Sequence, residues 1–223
     1  MERSLHQQLK RFYADDDSCT EVVMGRYRID AVRDDELIEV QCASLAAIRD
    51  KCQSLLKRHR LRIVKPVISR TRITKIKKEG GKVTSSRMSP KRGDMLDLFE
   101  ELIYFTRVFP NPNLVLEVPL VQVEEIRMPR TKKRRRRWHK DYQVYDVRLE
   151  SIDQTWDFCE ATDLLKILDW QGRSGEFNTA DIAAAIDRPR WVAQQIAYVL
   201  RKMGAIESVG RTKSGVIYEA KAA

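Results

Sequence analysis

Cysteine is scarce in this chain, and the four present, Cys19, Cys42, Cys52 and Cys159, form no C-x-x-C pair. Neither a zinc site nor a disulfide framework is indicated, so reduced and mostly buried thiols are expected. Long apolar runs are missing too. No stretch approaches the roughly 20 residues that cross a bilayer as a helix, and the opening "MERSLHQQLKRF" is charged and amphipathic, unlike a secretory signal. A cytoplasmic protein with no membrane partner is the expectation. No G-x-x-x-x-G-K-[ST] run occurs, so nothing points to hydrolysis of nucleoside triphosphates. Internal repeats and long low-complexity tracts are also absent.

Charge is what the chain has in abundance: 42 Lys and Arg against 32 Asp and Glu, a formal net charge of +10 over 223 residues. The excess sits in the middle. Residues 71–141 carry 18 basic against 9 acidic side chains, whereas residues 142–223 carry 10 against 12. Its peak is the unbroken run Lys132, Lys133, Arg134, Arg135, Arg136 and Arg137, which cannot pack together and gains from a polyanion. A nucleic-acid-contacting loop fits; a solvated tip between strands or a nuclear import signal looks the same as sequence.

With 43% hydrophobic residues the chain can bury a substantial core. Leu5, Leu9, Phe12 and Tyr13 recur at helical spacing, and "TEVVMG", "RYRIDAVR" and "ELIEVQC" then read as three strands. Ser44 is a plausible cap for a helix whose apolar face is Leu45, Ile48, Cys52, Leu55 and Leu56. "LRIVKPVIS" is a further strand that Pro66 interrupts or ends. "TRITKIKK", "EGGK" and "VTSSRM" spell a hairpin. "SPKRGD" leads into a helix bearing Met95, Leu98, Phe99, Leu102, Ile103 and Phe105, and long strands surround the basic run. The class is mixed α/β (α+β), divided as a core over 1–70, a mixed extension over 71–158 with its basic loop at 128–141, and a C-terminal unit over 159–223.

In the last third, "FNTADIAAAI" is a helix with Thr179 as its expected cap. "DRP" turns into "RWVAQQIAYVLRKMG", and two short strands follow. Two helices, a tight turn and a hairpin over residues 177–220 resemble winged-helix domains. Docked as DNA-binding relatives of that kind are, Arg188, Arg190 and Gln194 on the second helix and Arg211 and Lys213 in the wing would face nucleic acid. The net acidity of this third fits a protein-binding role as well.

Two carboxylates stand in the most sheet-like segment. Strand alternation puts Leu37, Glu39 and Gln41 on one face, and it groups Tyr27, Ile29 and Ala31 opposite Arg28, Asp30 and Val32. If the two strands pair through the turn at Asp34 and Asp35, Asp30 lies across from the Glu39 region. Paired carboxylates repel unless a cation lies between them, and Mg²⁺ suits few protein oxygens with room left for water and phosphate. The bland alternative is a solvent-facing pair with Arg28 and Arg33 as partners.

The pattern D-x8-E-x-Q, in the order helix, three strands, helix, strand, resembles the restriction-endonuclease-like PD-(D/E)xK nucleases over residues 1 to about 70. That resemblance implies an αβββαβ core in which Asp30, Glu39 and the Val40 carbonyl hold Mg²⁺, or Mn²⁺ in its place. Gln41 then stands where the family usually has Lys and would orient the attacking water. Glu2 matches an additional acid supplied by several branches, and Lys51 is the candidate for a lysine moved onto the following helix. His6, one turn after Glu2, could approach the metal or a phosphate. The arrangement as a whole also resembles an uncharacterised bacterial family. The expected function is Mg²⁺-dependent hydrolysis of nucleic acid, DNA foremost, in repair, recombination or defence; cutting both strands would call for two sites and is compatible with a homodimer. The alternatives are a catalytically inactive nuclease-like binder or regulator, and a winged-helix scaffold for a protein partner.

Overall fold

The computed structural model describes residues 4–14, 19–130, 141–170, 174–213 and 215–221. The first helix, α1 (Ser4–Tyr13), buries Leu5, Leu9 and Tyr13, an i, i+4, i+8 stripe on one side of the cylinder. Its start is held from across the molecule by Asp146, which accepts from the Ser4 amide at 3.0 Å and the Ser4 hydroxyl at 2.6 Å.

Strands β1 (Thr20–Met24), β2 (Tyr27–Arg33) and β3 (Glu36–Val40) form an antiparallel meander. The β2–β3 turn is two residues long, and both Asp34 and Asp35 have positive φ, the type I′ geometry that matches strand twist and that Asp tolerates. A 3-10 turn, Leu45–Ile48, capped by the Ser44 side chain, leads into α2 (Arg49–Leu55). The single apolar-faced helix expected here is thus two short pieces. The chain then returns as β4 (Arg60–Val64), parallel to β3.

Pro66 does what its missing N–H requires. β4 and β5 (Val67–Ile76) lie in one line along the same edge of β7 (Leu114–Pro129), with Leu61 opposite Leu114 and Val67 opposite Leu120, and the Lys65 amide bonds Glu117 O at 2.8 Å in between. The expected division at 70/71 falls inside β5. β8 (Tyr142–Phe158) covers the other edge of β7, and β6 (Val83–Met88) covers the outer edge of β5. In the gap between the ends of β3 and β6, Gly93 N donates to Ser69 O at 3.2 Å. A Cβ on Gly93 would stand 2.3 Å from Ile68 O, so only glycine allows this approach.

The eight-stranded mixed sheet is covered on both faces. α1 packs on Ala31, Ile38, Val40, Val64, Val121, Val123 and Val147. α2 and α3 (Leu98–Leu102) cover the other side, where Ile29, Leu37, Leu61, Ile63, Leu116 and Val118 join one large core. Strict alternation fails at Asp30: Ile29 belongs to the large core and Ala31 to the small one, contrary to the shared face expected of them. The break sits opposite Glu21, a non-glycine residue with φ of 55°, with Val22↔Ile29 and Thr20↔Ala31 in one register on either side of it.

After β8 come a 3-10 segment, Ala161–Leu168, then α4 (Thr179–Ile186), α5 (Arg190–Met203) and the hairpin β9 (Ile206–Thr212) with β10 (Gly215–Ala220). Leu164, Phe177, Ile182, Ile196 and Leu200 join the same large core. The cap of α4 is Asn178 rather than Thr179: Asn178 accepts from the Ala180 amide at 2.6 Å and Asp181 returns a bond to the Asn178 amide at 2.7 Å. The Thr179 hydroxyl accepts from Arg190 instead. All four cysteines are free; only Cys52 is buried, while Cys42 and Cys159 are exposed, against the expectation of mostly buried thiols.

Candidate functional site

The β2–β3 ladder closes at Ala31↔Ile38, one step before Asp30 and Glu39. Beyond that point Val40, whose neighbour Gln41 bonds Val64 O of β4 at 2.8 Å, turns its own amide and carbonyl toward β2. Asp30 Oδ2 accepts from the Val40 amide at 2.9 Å, so the carboxylate takes the place of a backbone partner. The Val40 carbonyl, 2.7 Å from His6 Nε2, faces the same space.

α1 supplies two side chains one turn apart, His6 and Lys10, an i, i+4 pair on one face. His6 Nε2 lies 3.3 Å from Asp30 Oδ2, and Lys10 Nζ lies 3.8 Å from Asp30 Oδ1 while also pairing with Glu21. α2 supplies Lys51, whose ammonium donates to Glu39 Oε2 at 2.6 Å and to the Arg28 carbonyl at 2.5 Å. Glu39 is buried, 8% exposed. Burial first, and the Asp30 charge second, push its carboxyl above the ordinary range, and Lys51 and His6 pull it back. A buried carboxylate that another carboxylate disfavours, set among three nitrogen groups, is a site stabilised by added positive charge.

Asp30, Glu39, Val40 and Lys51 are therefore gathered at one end of β3. Gln41 is not among them: its side-chain amide donates to Ser44 O at 3.0 Å, bracing the turn into α2 rather than facing the carboxylates. Glu2 and the run from Lys132 to Arg137 lie outside the described residues. Lys10 and Glu21 were missed in the sequence; the signal for Lys10 is its i+4 spacing from His6, and none marks Glu21. Burial pushes the neighbouring Cys52 thiol up to about 12, which leaves it inert.

The donor set for a divalent ion is the Asp30 and Glu39 carboxylates and the Val40 carbonyl, all hard oxygens. Among the described residues no group of three or more His, Cys, Asp or Glu side chains is placed to hold a metal. Two carboxylates and a carbonyl fit an ion that keeps several waters. They do not fit a closed structural site. His6 Nε2 lies between Val40 O, at 2.7 Å, and Asp30 Oδ2, at 3.3 Å, on the α1 side of the site.

A second ionic cluster lies at the opposite end of β3. Arg62 Nε meets Glu36 at 2.7 Å, and its Nη1 meets Glu117 at 2.7 Å and Asp157 at 3.2 Å, with the Tyr13 hydroxyl donating to Glu117. Three carboxylates there share one guanidinium, and the cluster ties α1, β3, β4, β7 and β8 together.

Of the C-terminal residues expected to meet nucleic acid, Gln194, Arg211 and Lys213 are exposed. Arg190 reaches back to Thr179 at 3.1 Å, and Arg188 pairs with Asp94 at 2.7 Å, holding the α4–α5 turn against the segment before α3.

Fold and site together define a three-layer mixed-sheet α/β protein with a carboxylate and lysine cluster at the end of its third strand. The chain belongs to the family described as Domain of unknown function (DUF8091), whose model matches residues 3–159, from α1 to the end of β8. It is 27% identical over 158 residues to an uncharacterized protein of Treponema pallidum (strain Nichols), a match covering 70% of this chain and 62% of that one. The chain thus spans less than two thirds of the length of that relative. No solved structure matches. Among the described residues no helix is long and apolar enough to cross a membrane.

Proposed function

We propose that the chain is a metal-dependent phosphodiesterase acting on nucleic acid, with DNA as the expected substrate. The observation that carries this reading is that Asp30 accepts from the Val40 amide at 2.9 Å while the adjacent Glu39, whose carboxyl the Asp30 charge helps to raise, is held by the Lys51 ammonium at 2.6 Å. The succession of α1, β1, β2, β3, α2 and β4, antiparallel up to β3 and parallel from β3 to β4, is in keeping with the αβββαβ core of the restriction-endonuclease-like nucleases. The two helices and hairpin from α4 to β10 are in keeping with a winged helix.

Asp30, Glu39 and the Val40 carbonyl would hold Mg²⁺ or Mn²⁺. When bound, such an ion lowers the pKa of water and neutralises charge on a phosphoryl oxygen. Lys51 favours the ionised form of Glu39 against burial and holds the carboxylate in place, and its ammonium would orient a water or a phosphate oxygen. It takes the role that the resemblance would give to the third residue of D-x8-E-x-Q, because Gln41 is occupied at Ser44 O. Lys10 and His6 hold Asp30 from the α1 side.

Supercoiled plasmid incubated with Mg²⁺ or Mn²⁺ is the test. Nicking is expected from the native chain, with a fall of at least a hundredfold in Asp30→Ala, Glu39→Ala and Lys51→Ala and little change in Gln41→Ala. Nicking that survives Asp30→Ala with Glu39→Ala, or that never occurs, refutes the reading.

A further inference from the structure

Beyond α1 the sheet continues as a four-stranded arm, β6-β5-β7-β8, and it ends in a second concentration of positive charge. β5 runs parallel to β7, with Lys75 opposite Arg127, so the β5–β6 turn and the residue following β7, Arg130, project from the same end of the arm. The hairpin from Lys75 to Met88 carries Lys75, Lys77, Lys78, Lys82 and Arg87, all exposed. None of the four lysines pairs with a described carboxylate. The hairpin's one acid, Glu79, is occupied by the Tyr145 hydroxyl at 2.5 Å. Every residue of β6 from Val83 to Arg87 is exposed, and Thr84, Ser85 and Ser86 add hydroxyls to the cations.

We infer that the tip of this arm is an anchor for the phosphate backbone of duplex nucleic acid, separate from the carboxylate site. Unneutralised lysines at the tip of a strand pair, one on β5 and three in the turn, followed by the hydroxyls of β6, are backbone-reading chemistry. A single-strand site needs aromatic platforms, and residues 75–88 contain no aromatic side chain. A compact protein epitope is built around aromatic anchors, of which residues 75–88 contain none.

The distance is set by the strands. Glu39 stands opposite Ile63, and β5 ends at Ile76 in the same line. At about 3.3 Å per residue that run is roughly 40 Å. A duplex rises about 3.4 Å per step, so anchor and carboxylates lie roughly 12 base pairs apart. Short duplexes reach one or the other, and longer ones engage both. The inference takes its relation to cleavage from the proposed function, but binding at the arm does not require catalysis.

The test is fluorescence anisotropy in EDTA with labelled 10- and 30-base-pair duplexes from 50 to 200 mM salt. It compares the full chain with a variant carrying Lys75→Gln, Lys77→Gln, Lys78→Gln and Lys82→Gln. These side chains are exposed, so thermal melting should be unchanged. The native chain should bind the 30-mer at least tenfold more tightly than the variant at 100 mM salt. The variant's salt slope should be shallower by roughly 3.6, from four contacts at about 0.9 each. Lys→Arg at the same four positions should restore binding. Equal affinities and slopes for native and Gln variants overturn the inference. So does displacement of the 30-mer by polyglutamate as readily as by unlabelled duplex, or tighter binding of a single-stranded 30-mer than of the duplex by the native chain. Because EDTA removes catalysis, a failed nicking assay leaves this result intact, and a failed binding assay leaves the carboxylate site intact.

Discussion

Replacing Lys51 with Met separates the electrostatics of the carboxylate site from its packing. The side chain is 18% exposed, and its ammonium meets Glu39 Oε2 at 2.6 Å and Arg28 O at 2.5 Å. Methionine keeps the apolar stem and deletes the charge. Were Glu39 to stay ionised, an unpaired buried carboxylate beside Asp30 would cost about 3 kcal/mol or more. Glu39 has an alternative, because its carboxyl already titrates above the ordinary range and can take up a proton.

The sign follows. The folded Glu39 pKa lies above its unfolded value, so the folded state binds more protons, and ionising Glu39 removes stability as pH rises through the folded pKa. Without Lys51 that pKa rises further, and the variant loses most at alkaline pH. At pH 5 the residual loss is the hydrogen bond to Arg28 O, about 1 kcal/mol. At pH 8 it is about 3 kcal/mol. For a chain of this size each kcal/mol moves Tm by roughly 2–4 °C, so Tm should fall roughly 2–4 °C at pH 5 and 6–12 °C at pH 8. Thermal melts of both proteins at the two pH values decide it. Equal losses at pH 5 and pH 8, or a pH dependence that persists when Glu39→Gln is added, would refute the reasoning.

Glu39→Gln alone should melt higher than the native chain in metal-free buffer at pH 8, since it removes a charge that burial and Asp30 both disfavour. In the native chain Mg²⁺ at ten times its Kd should add about 1.4 kcal/mol of stability, and that increment should vanish in the variant; calorimetry with and without Mg²⁺ reads both. Asn178→Ala should cost about 1 kcal/mol by urea unfolding through loss of the α4 cap, whereas Thr179→Ala should cost less, the reverse of what the sequence alone led one to expect.

The elements around the site were legible because their signals are local. Pro66 marks the break between β4 and β5, Ser44 the entry to the turn before α2, and Asp34-Asp35 the turn that brings β2 beside β3. Asn178 was passed over for Thr179 because both are good cap residues, and only the Asp181 side chain, three positions beyond Asn178, selects between them. The long-range arrangement left no such mark. Nothing in "LRIVKPVIS" says that β7 from fifty residues later runs along both halves of it, nor that Asp146 caps α1.

The site shows the same division between local and distant causes. Spacing placed Glu39 and Gln41 on one face, and by alternation alone they are equivalent. They separate because Gln41 is the residue at which the chain leaves β3. Its amide still bonds Val64 O, but its side chain faces Ser44 of the coming turn, while Glu39, two positions inside the strand, stays under α2 where Lys51 projects. At a strand exit the carbonyls of the coming turn lie within reach of a side-chain amide, and Ser44 O takes that of Gln41. The cation beside Glu39 therefore comes from the next element, twelve residues on, and Asp30 meets the Val40 amide where β2 breaks its alternation between Ile29 and Ala31.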